Sequence, residues 1–124
     1  MSKYPLITIV DDDDAVRTAI ESLVRSLGLR TSSFASADAF LHSDRVEDTA
    51  CIITDVQMPG MSGVELQSHL RHIGNSVPLI FITAFPEDRI RRQVMAAGAV
   101  GFLSKPFDGS AMIDCIDLAL STAS

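Results

Sequence analysis

Residues 6–28 read LITIVDDDDAVRTAIESLVRSLG, and they contain one full repeat of the pattern that decides the fold. The first five residues are apolar or β-branched, with Thr8 as the one polar member, which is typical of a short strand buried in a parallel sheet. After the acidic segment, apolar residues recur every three to four positions, which predicts a helix. These residues are Val16, Ile20, Leu23 and Leu27. Asp14 is placed to cap this helix and Gly28 to end it.

The same order of strand and helix recurs four more times along the chain. Strands are predicted at residues 29–34, 50–54, 79–83 and 100–103, and helices at 36–41, 62–73, 87–97 and from a cap at 108. The strand at 29–34 is the most polar, which favours an edge position. In the fourth helix, Ile90, Val94 and Ala97 are expected to face the core. The alternation predicts an α/β fold, in which a parallel sheet carries helices on both faces.

Length and composition limit the classes of protein to which the chain can belong. Its 124 residues fit one domain, which we expect to span residues 1–124. The formal charge of −6 disfavours direct nucleic-acid binding, which needs a positive surface. No apolar run approaches the ~20 residues of a membrane span. Cys51 and Cys115 lie among apolar neighbours and are expected to be buried or half-buried free thiols, which is consistent with a cytoplasmic protein.

Polar residues follow four of the five predicted strands. Asp11 and Asp12 end the first strand, Asp55 ends the third, Thr83 ends the fourth and Lys105 follows the fifth. In an open parallel sheet, ligands bind beyond the carboxyl ends of the strands. The sequence therefore predicts that three carboxylates, one hydroxyl and one ammonium meet at one edge.

Three carboxylates in one cleft repel each other unless a cation neutralises them. Hard oxygen ligands select Mg²⁺ or Ca²⁺, and Mg²⁺ suits phosphoryl chemistry because phosphate oxygens can complete its coordination. A carboxylate such as Asp55 can attack a phosphoryl group and form an aspartyl phosphate. Lys105 and Thr83 would then bind the transferred phosphoryl oxygens. Each residue alone could be a turn former or a surface residue, so the prediction rests on their joint placement.

With these motifs, the chain resembles the receiver domains of two-component response regulators, in particular the FixJ and NarL types. The motifs that carry the resemblance are Ile9–Asp12, Thr54–Gly63, Phe81–Ala84 and Gly101–Phe107. The resemblance implies a flavodoxin-like (βα)5 fold with a doubly wound, five-stranded parallel sheet in the order 2-1-3-4-5.

The resemblance also implies a role for each residue of the site. Asp55 would accept a phosphoryl group from a sensor histidine kinase, and Lys105, with a cis bond to Pro106, would contact that group. The metal ligands for Mg²⁺ would be Asp11, Asp12, Asp55 and the backbone carbonyl of Gln57. Thr83 and Phe102 would be the moving parts of the switch.

The charges of the fourth and fifth helices suggest an output surface made of helix 4, strand 5 and helix 5, although a solvated pair of charged helices would show the same pattern. The charged residues are Arg89, Arg91 and Arg92 on helix 4 and Asp108, Asp114 and Asp117 on helix 5. A phosphorylation-dependent homodimer through this surface is expected, together with control of a DNA-binding output domain outside this chain. Such a receiver catalyses its own phosphorylation and dephosphorylation and is not an enzyme acting on other substrates.

Three other functions are also compatible with these residues. One is a stand-alone receiver, and another is a receiver fold that is not phosphorylated, which would normally lack an acid or the lysine. A third is a Mg²⁺-dependent phosphatase or phosphotransferase of another α/β family. The haloacid-dehalogenase type of that class would place a second Asp at the position of Gln57.

Overall fold

Strands and helices alternate along residues 4–122, which are the residues that the computed structural model describes. The strands are β1 (Leu6–Val10), β2 (Arg30–Phe34), β3 (Thr49–Asp55), β4 (Leu79–Thr83) and β5 (Gly101–Ser104). The helices are α1 (Asp14–Ser26), α2 (Ala37–Leu41), α3 (Gly63–His72), α4 (Asp88–Ala96) and α5 (Gly109–Thr122). Each strand is followed by one helix, as the sequence predicts.

The five strands are all parallel and form one sheet in the order β2-β1-β3-β4-β5. The predicted flavodoxin-like architecture and its strand order are therefore confirmed. In the sheet, β2 lies on one side of β1, whereas β3, β4 and β5 follow one another on the other side. The direction in which the chain adds strands therefore reverses between β1 and β3. In such sheets, ligands bind in the crevice at this reversal.

Apolar side chains cover both faces of the sheet. On one face, α1 and α5 pack against β1, β3 and β4, with Ile7, Ile9, Ile20, Ile53 and Ile116 fully buried. On the other face, α2, α3 and α4 pack against the same strands, with Val10, Phe40, Ile52, Leu66 and Phe81 fully buried. Because successive side chains of a strand point to opposite faces, a shift of one residue would exchange the two sets and disrupt both cores. The β2 strand is only half-buried and lies at an edge, as predicted.

The start of α1 differs from the prediction by one residue. Asp13, and not Asp14, is the N-cap, since its backbone is extended and its side chain accepts hydrogen bonds from the N–H groups of Ala15 and Val16. Asp14 is instead the first helical residue and forms an ion pair with Arg17. A helix cap requires an extended backbone, so the turn after β1 selects one of several adjacent aspartates.

The end of α4 also differs from the prediction. Ala97 is exposed, so its predicted place in the core is wrong, whereas Val94 is buried as expected. The helix ends at Ala96, and Gly98 has a φ of +102° that turns the chain back toward the sheet. This turn directs Ala99 into the core in place of Ala97.

Gly63, the first residue of α3, lies against the end of β3. A Cβ atom on Gly63 would lie 2.1 Å from the backbone oxygen of Asp55. We expect Gly63→Ala to lower the free energy of unfolding by about 1–3 kcal/mol, although alanine normally favours a helix more than glycine does. Urea denaturation measures this change. Gly109→Ala is the control, because a Cβ atom there would meet nothing within 4 Å; equal losses in the two variants would contradict the close packing.

Candidate functional site

The carboxyl ends of β1, β3, β4 and β5 bring the predicted site residues to one edge of the sheet. The register places Val10 beside Thr54, Asp55 beside Ile82 and Thr83 beside Ser104, so these strands end at nearly the same level. Asp11 and Asp55 therefore flank the reversal between β1 and β3. This edge is the place that the sequence predicts for the site.

Three carboxylates meet at this edge. One oxygen from each of Asp11, Asp12 and Asp55 lies within 4.8 Å of the other two. Asp11 is fully buried and Asp55 is 7% exposed, whereas Asp12 is exposed to solvent. The predicted clustering of these three acids is therefore found in the fold.

Backbone N–H groups orient the two buried carboxylates. Oδ1 of Asp11 accepts a hydrogen bond of 2.9 Å from the N–H of Asp13, and Oδ1 of Asp55 accepts one of 3.2 Å from the N–H of Gln57. The Oδ2 atom of each acid is thereby directed toward Lys105. The loops that follow β1 and β3 thus set the direction of both carboxylates.

Lys105 lies between the two buried acids. Its Nζ atom is 2.9 Å from Oδ2 of Asp11 and 2.9 Å from Oδ2 of Asp55. The contact with Asp55 has the geometry of a hydrogen bond, and the contact with Asp11 is an ion pair. The backbone N–H of Lys105 also donates to the carbonyl of Thr83, and its peptide bond to Pro106 is cis, as expected.

Burial and charge change the pKa of both Asp11 and Lys105. Burial raises the pKa of Asp11 above its ordinary value, although the N–H of Asp13 and the Lys105 ammonium act in the opposite direction. Burial would lower the pKa of Lys105, but the two neighbouring carboxylates outweigh it and raise that pKa. The ammonium therefore stays protonated, while the buried carboxylate is costly to ionise.

The donor set fits a hard divalent cation. It consists of carboxylate oxygens, which Mg²⁺ and Ca²⁺ prefer, and one ammonium opposes the charge of three acids. A bound cation would reduce the repulsion that remains among them. The acidic pocket formed by Asp11, Asp12 and Asp55 could therefore bind a metal, whereas the role of the Gln57 carbonyl as a ligand stays a prediction.

Thr83 lies at the end of β4, and Phe102 lies on the neighbouring strand β5. Thr83 is buried at the end of β4, where its hydroxyl accepts a hydrogen bond of 3.0 Å from the N–H of Phe85. Phe102 is half-buried on β5 and lines a cleft of about 330 Å³ together with Gln57, Phe85 and Ile90. The cleft gives space for movement next to Asp55, although the switching roles of the two residues stay predictions.

Sequence reasoning missed the contact of Arg17 with the site. Its guanidinium donates a hydrogen bond of 2.5 Å to the backbone carbonyl of Asp11 and forms the ion pair with Asp14. It thereby supports the loop that carries two of the three acids. The spacing of Asp14 and Arg17 is a signal for a pair on one helix face, but it gives no indication of the contact with Asp11.

The raised pKa of Asp11 has a consequence for stability. Because the carboxyl binds its proton more tightly in the folded chain, ionised Asp11 destabilises the fold as pH rises through the folded-state pKa. We expect Asp11→Asn to raise the melting temperature of the metal-free protein at neutral pH by a few degrees. The gain should shrink in acid, where Asp11 is protonated in both states.

Thermal unfolding monitored by circular dichroism, in the presence of a chelator and over a range of pH, measures this effect. Asp12→Asn is the matched control, because its exposed carboxylate has no burial cost to remove. A lower melting temperature for Asp11→Asn at neutral pH would show that the ion pair with Lys105 outweighs the cost of burial.

Comparisons with known proteins agree with this geometry. The family described as the response regulator receiver domain matches residues 7–117. The response regulator protein TmoT of Ectopseudomonas mendocina is 42% identical over 118 residues, which cover 95% of this chain and 54% of TmoT. The transcriptional regulatory protein FixJ of Azorhizobium caulinodans is 40% identical, and the match covers 92% of this chain and 54% of FixJ. The chain thus spans about half the length of the curated relatives it matches.

The structure of the response regulator StyR matches with a TM-score of 0.90 and 40% identity, covering 97% of this chain and 61% of that of StyR. Among residues 4–122, no helix is long and apolar enough to cross a membrane. The family match over residues 7–117 shows that this chain belongs to the response regulator receiver domains of two-component systems.

Proposed function

We propose that this domain is a phosphorylation-activated switch that accepts a phosphoryl group on Asp55 from a sensor histidine kinase. The observation that carries the proposal is the position of Lys105, whose ammonium lies 2.9 Å from oxygens of both Asp11 and Asp55. This arrangement supplies a nucleophile and a positive group beside a cluster of acids that could hold a metal. Together these are the parts that phosphoryl transfer to a carboxylate requires.

In the proposed reaction, a carboxylate oxygen of Asp55 attacks the phosphorus atom of a phosphohistidine. A new P–O bond forms, the P–N bond breaks, and the histidine nitrogen keeps the bonding electron pair. Lys105 Nζ, which lies 2.9 Å from Oδ2 of Asp55, would bind a phosphoryl oxygen and offset its charge. The hydroxyl of Thr83 would bind another phosphoryl oxygen.

We propose Mg²⁺ as the cofactor, held by Asp11, Asp12, Asp55 and the backbone carbonyl of Gln57. When bound, the ion would neutralise the acids and the negative charge of the phosphoryl oxygens. Two observations support this choice. All the donors are oxygen atoms, and the three carboxylates carry more negative charge than the one nearby ammonium can neutralise.

The switch follows from the charge that phosphorylation adds. A phosphoryl group brings about −1.5 to −2 charges to Asp55. Lys105, which follows β5, and Thr83, at the end of β4, are the groups that we propose respond to it. A movement of the Thr83 hydroxyl toward the phosphoryl group would change its contact with the N–H of Phe85. Phe102 could then turn within the adjoining cleft, which transmits the change to α4 and β5.

A phosphatase of the haloacid-dehalogenase type is less well supported. That chemistry uses a second acid two residues after the nucleophile, and Gln57 occupies this position. Its side chain is exposed, and its N–H bonds to Asp55, so the loop orients the acceptor without supplying a general acid. The geometry therefore favours a phosphoacceptor over a hydrolase.

The output of the switch is a separate part of the proposal. Relatives such as FixJ are named transcriptional regulatory proteins, and this chain spans about half of their length. We propose that the domain, located in the cytoplasm, controls a DNA-binding output domain and does not itself bind nucleic acid. A receiver that acts alone is the alternative, and the full reading frame would distinguish the two.

Incubation with acetyl phosphate and Mg²⁺ should add one phosphoryl group to the protein, as read by intact-protein mass spectrometry. Asp55→Asn should abolish this addition because the amide is a poor nucleophile, and a chelator should abolish it in the wild-type protein. Asp44→Asn, which changes an exposed acid in a loop, is the control and should be phosphorylated normally. Undiminished phosphorylation of Asp55→Asn would exclude Asp55 as the acceptor.

We further propose a phosphorylation-dependent homodimer through α4, β5 and α5. Exposed Arg89 and Arg92 on α4 and exposed Asp114 and Asp117 on α5 provide opposite charges on neighbouring elements, and Leu118 on α5 is 51% exposed. In a twofold-symmetric pair, the arginines of one copy could meet the aspartates of the other.

Analytical ultracentrifugation with and without beryllium fluoride, a phosphoryl mimic, tests the dimer. The mimic with Mg²⁺ should shift the wild-type protein from monomer toward dimer. Arg92→Glu should prevent the shift by placing like charges across the interface. Arg45→Glu, the same charge change in the loop before β3, should leave it intact, and a wild-type monomer in both conditions would contradict the proposal.

A further inference from the structure

The two ends of α4 are held in very different ways. At its start, Glu87 is the N-cap but makes no hydrogen bond from its side chain, and residues 84–89 are all exposed. At its end, Gly98 N–H donates to the carbonyl of Met95, and Ala99 N–H donates to that of Val94. This closure is a Schellman motif, which satisfies carbonyls that a helix otherwise leaves without partners.

Two side chains of α3 bind the same end of α4. Gln67 is 2% exposed, and its Nε2 donates a buried hydrogen bond of 3.0 Å to the carbonyl of Val94. Arg71, one helical turn further along α3, donates from Nε to the carbonyl of Ala97 at 3.3 Å. The carbonyl of Val94 therefore has one donor from its own helix end and one from α3.

Arg71 also fixes the segment that follows its own helix. Its Nη1 atom donates to the carbonyl of Asn75 at 3.1 Å and to that of Val77 at 2.9 Å. A single guanidinium thus joins the end of α3, the approach to β4 and the end of α4. Its planar array of donors suits this role because several carbonyls can be bound at once.

The opposite end of α4 is separated from α3 by open space. The cleft of about 330 Å³ lies between the start of α3, at Ser62 and Val64, and the start of α4, at Glu87 and Ile90. Phe102 borders the same cleft. The first turns of α4 therefore have room to move, whereas its last turn is bonded to α3.

A buried amide is not needed for packing at the position of Gln67. A methionine has a similar volume and would avoid the desolvation of a polar group. The amide of Gln67 instead provides a directional hydrogen bond, which fixes the position of the Val94 carbonyl relative to α3. Gln67 is thus a positioning residue for α4.

We propose that Gln67, with Arg71, holds the C-terminal end of α4 against α3, so that phosphorylation of Asp55 moves only the N-terminal turns of α4. The inference rests on the proposed phosphoacceptor function and specifies which part of α4 moves and which part stays fixed. The helix would pivot about its last turn, which changes the surface around residues 85–92 most.

Amide hydrogen exchange of the whole chain, with and without beryllium fluoride and Mg²⁺, tests the pivot. In the wild-type protein, the mimic should change exchange at residues 85–91 and leave the amides of Ala97, Gly98 and Ala99 unchanged. In Gln67→Met, these three amides should exchange about three- to tenfold faster even without the mimic, as the loss of one hydrogen bond predicts. The effect of the mimic should then extend to them.

Gln93→Met is the matched control, because it makes the same substitution at an exposed position on α4 itself. It should show the wild-type pattern at residues 97–99. The melting temperature of Gln67→Met should stay within a few degrees of the wild-type value, since Ala99 N–H still bonds to Val94. This combination separates positioning of α4 from a general loss of stability.

The results distinguish failure of the pivot from failure of the proposed function. Equal changes at both ends of α4 in the wild-type protein, or identical exchange in Gln67→Met and Gln93→Met, would overturn the pivot. If the mimic changes no amide near Asp55, the phosphoacceptor function fails and the phosphorylation-driven movement fails with it. Even then, amide exchange at residues 97–99 in the two variants without the mimic would show whether Gln67 holds the end of α4.

Discussion

The ammonium of Lys105, held between the carboxylates of Asp11 and Asp55, is the contact on which the arrangement of the site depends. Asp11 is fully buried, and a buried carboxylate without a cation would be far more costly to ionise. Lys105 can reach both acids only because β1, β3, β4 and β5 are parallel neighbours that end at the same level. The sheet order therefore matters to the site as much as the identity of its residues does.

One ammonium close to three acids leaves the pocket with an excess of negative charge. The proposed switch depends on this excess, because both a metal ion and a phosphoryl group would change it. A divalent cation would offset the excess, and a phosphoryl group on Asp55 would then restore negative charge at a new position. Each event would change the negative groups that surround the Lys105 ammonium. Because Thr83 ends β4 and Lys105 directly follows β5, a change in their contacts would act on the two strands that precede α4 and α5.

The sequence predicted the order of elements and the acids of the site because both depend on local patterns. The β4 segment consists of four apolar residues followed by Thr83, and its predicted bounds match Leu79–Thr83. The details that failed depend on backbone direction: Asp13 replaces Asp14 as a cap because the turn after β1 extends there, and Gly98 directs Ala99 inward in place of Ala97. Contacts between elements far apart in the chain, such as that of Gln67 on α3 with Val94 on α4, leave no periodic signal in the sequence.

The two ends of α4 are held differently, and this difference would give a charge change at one edge of the sheet a directed effect. Gly98 and Ala99 close the end of α4 farther from Asp55, where side chains of α3 also bind its carbonyls, while its start adjoins the cleft beside the acceptor. A helix is stiff over such a length, so a displacement applied at a free end becomes a rotation about the bonded end. A receiver with both ends equally bonded would resist the same displacement, and one with both ends free would spread it over the whole helix. The unequal support of α4 is thus the feature that would convert a local change at Asp55 into a defined change of surface.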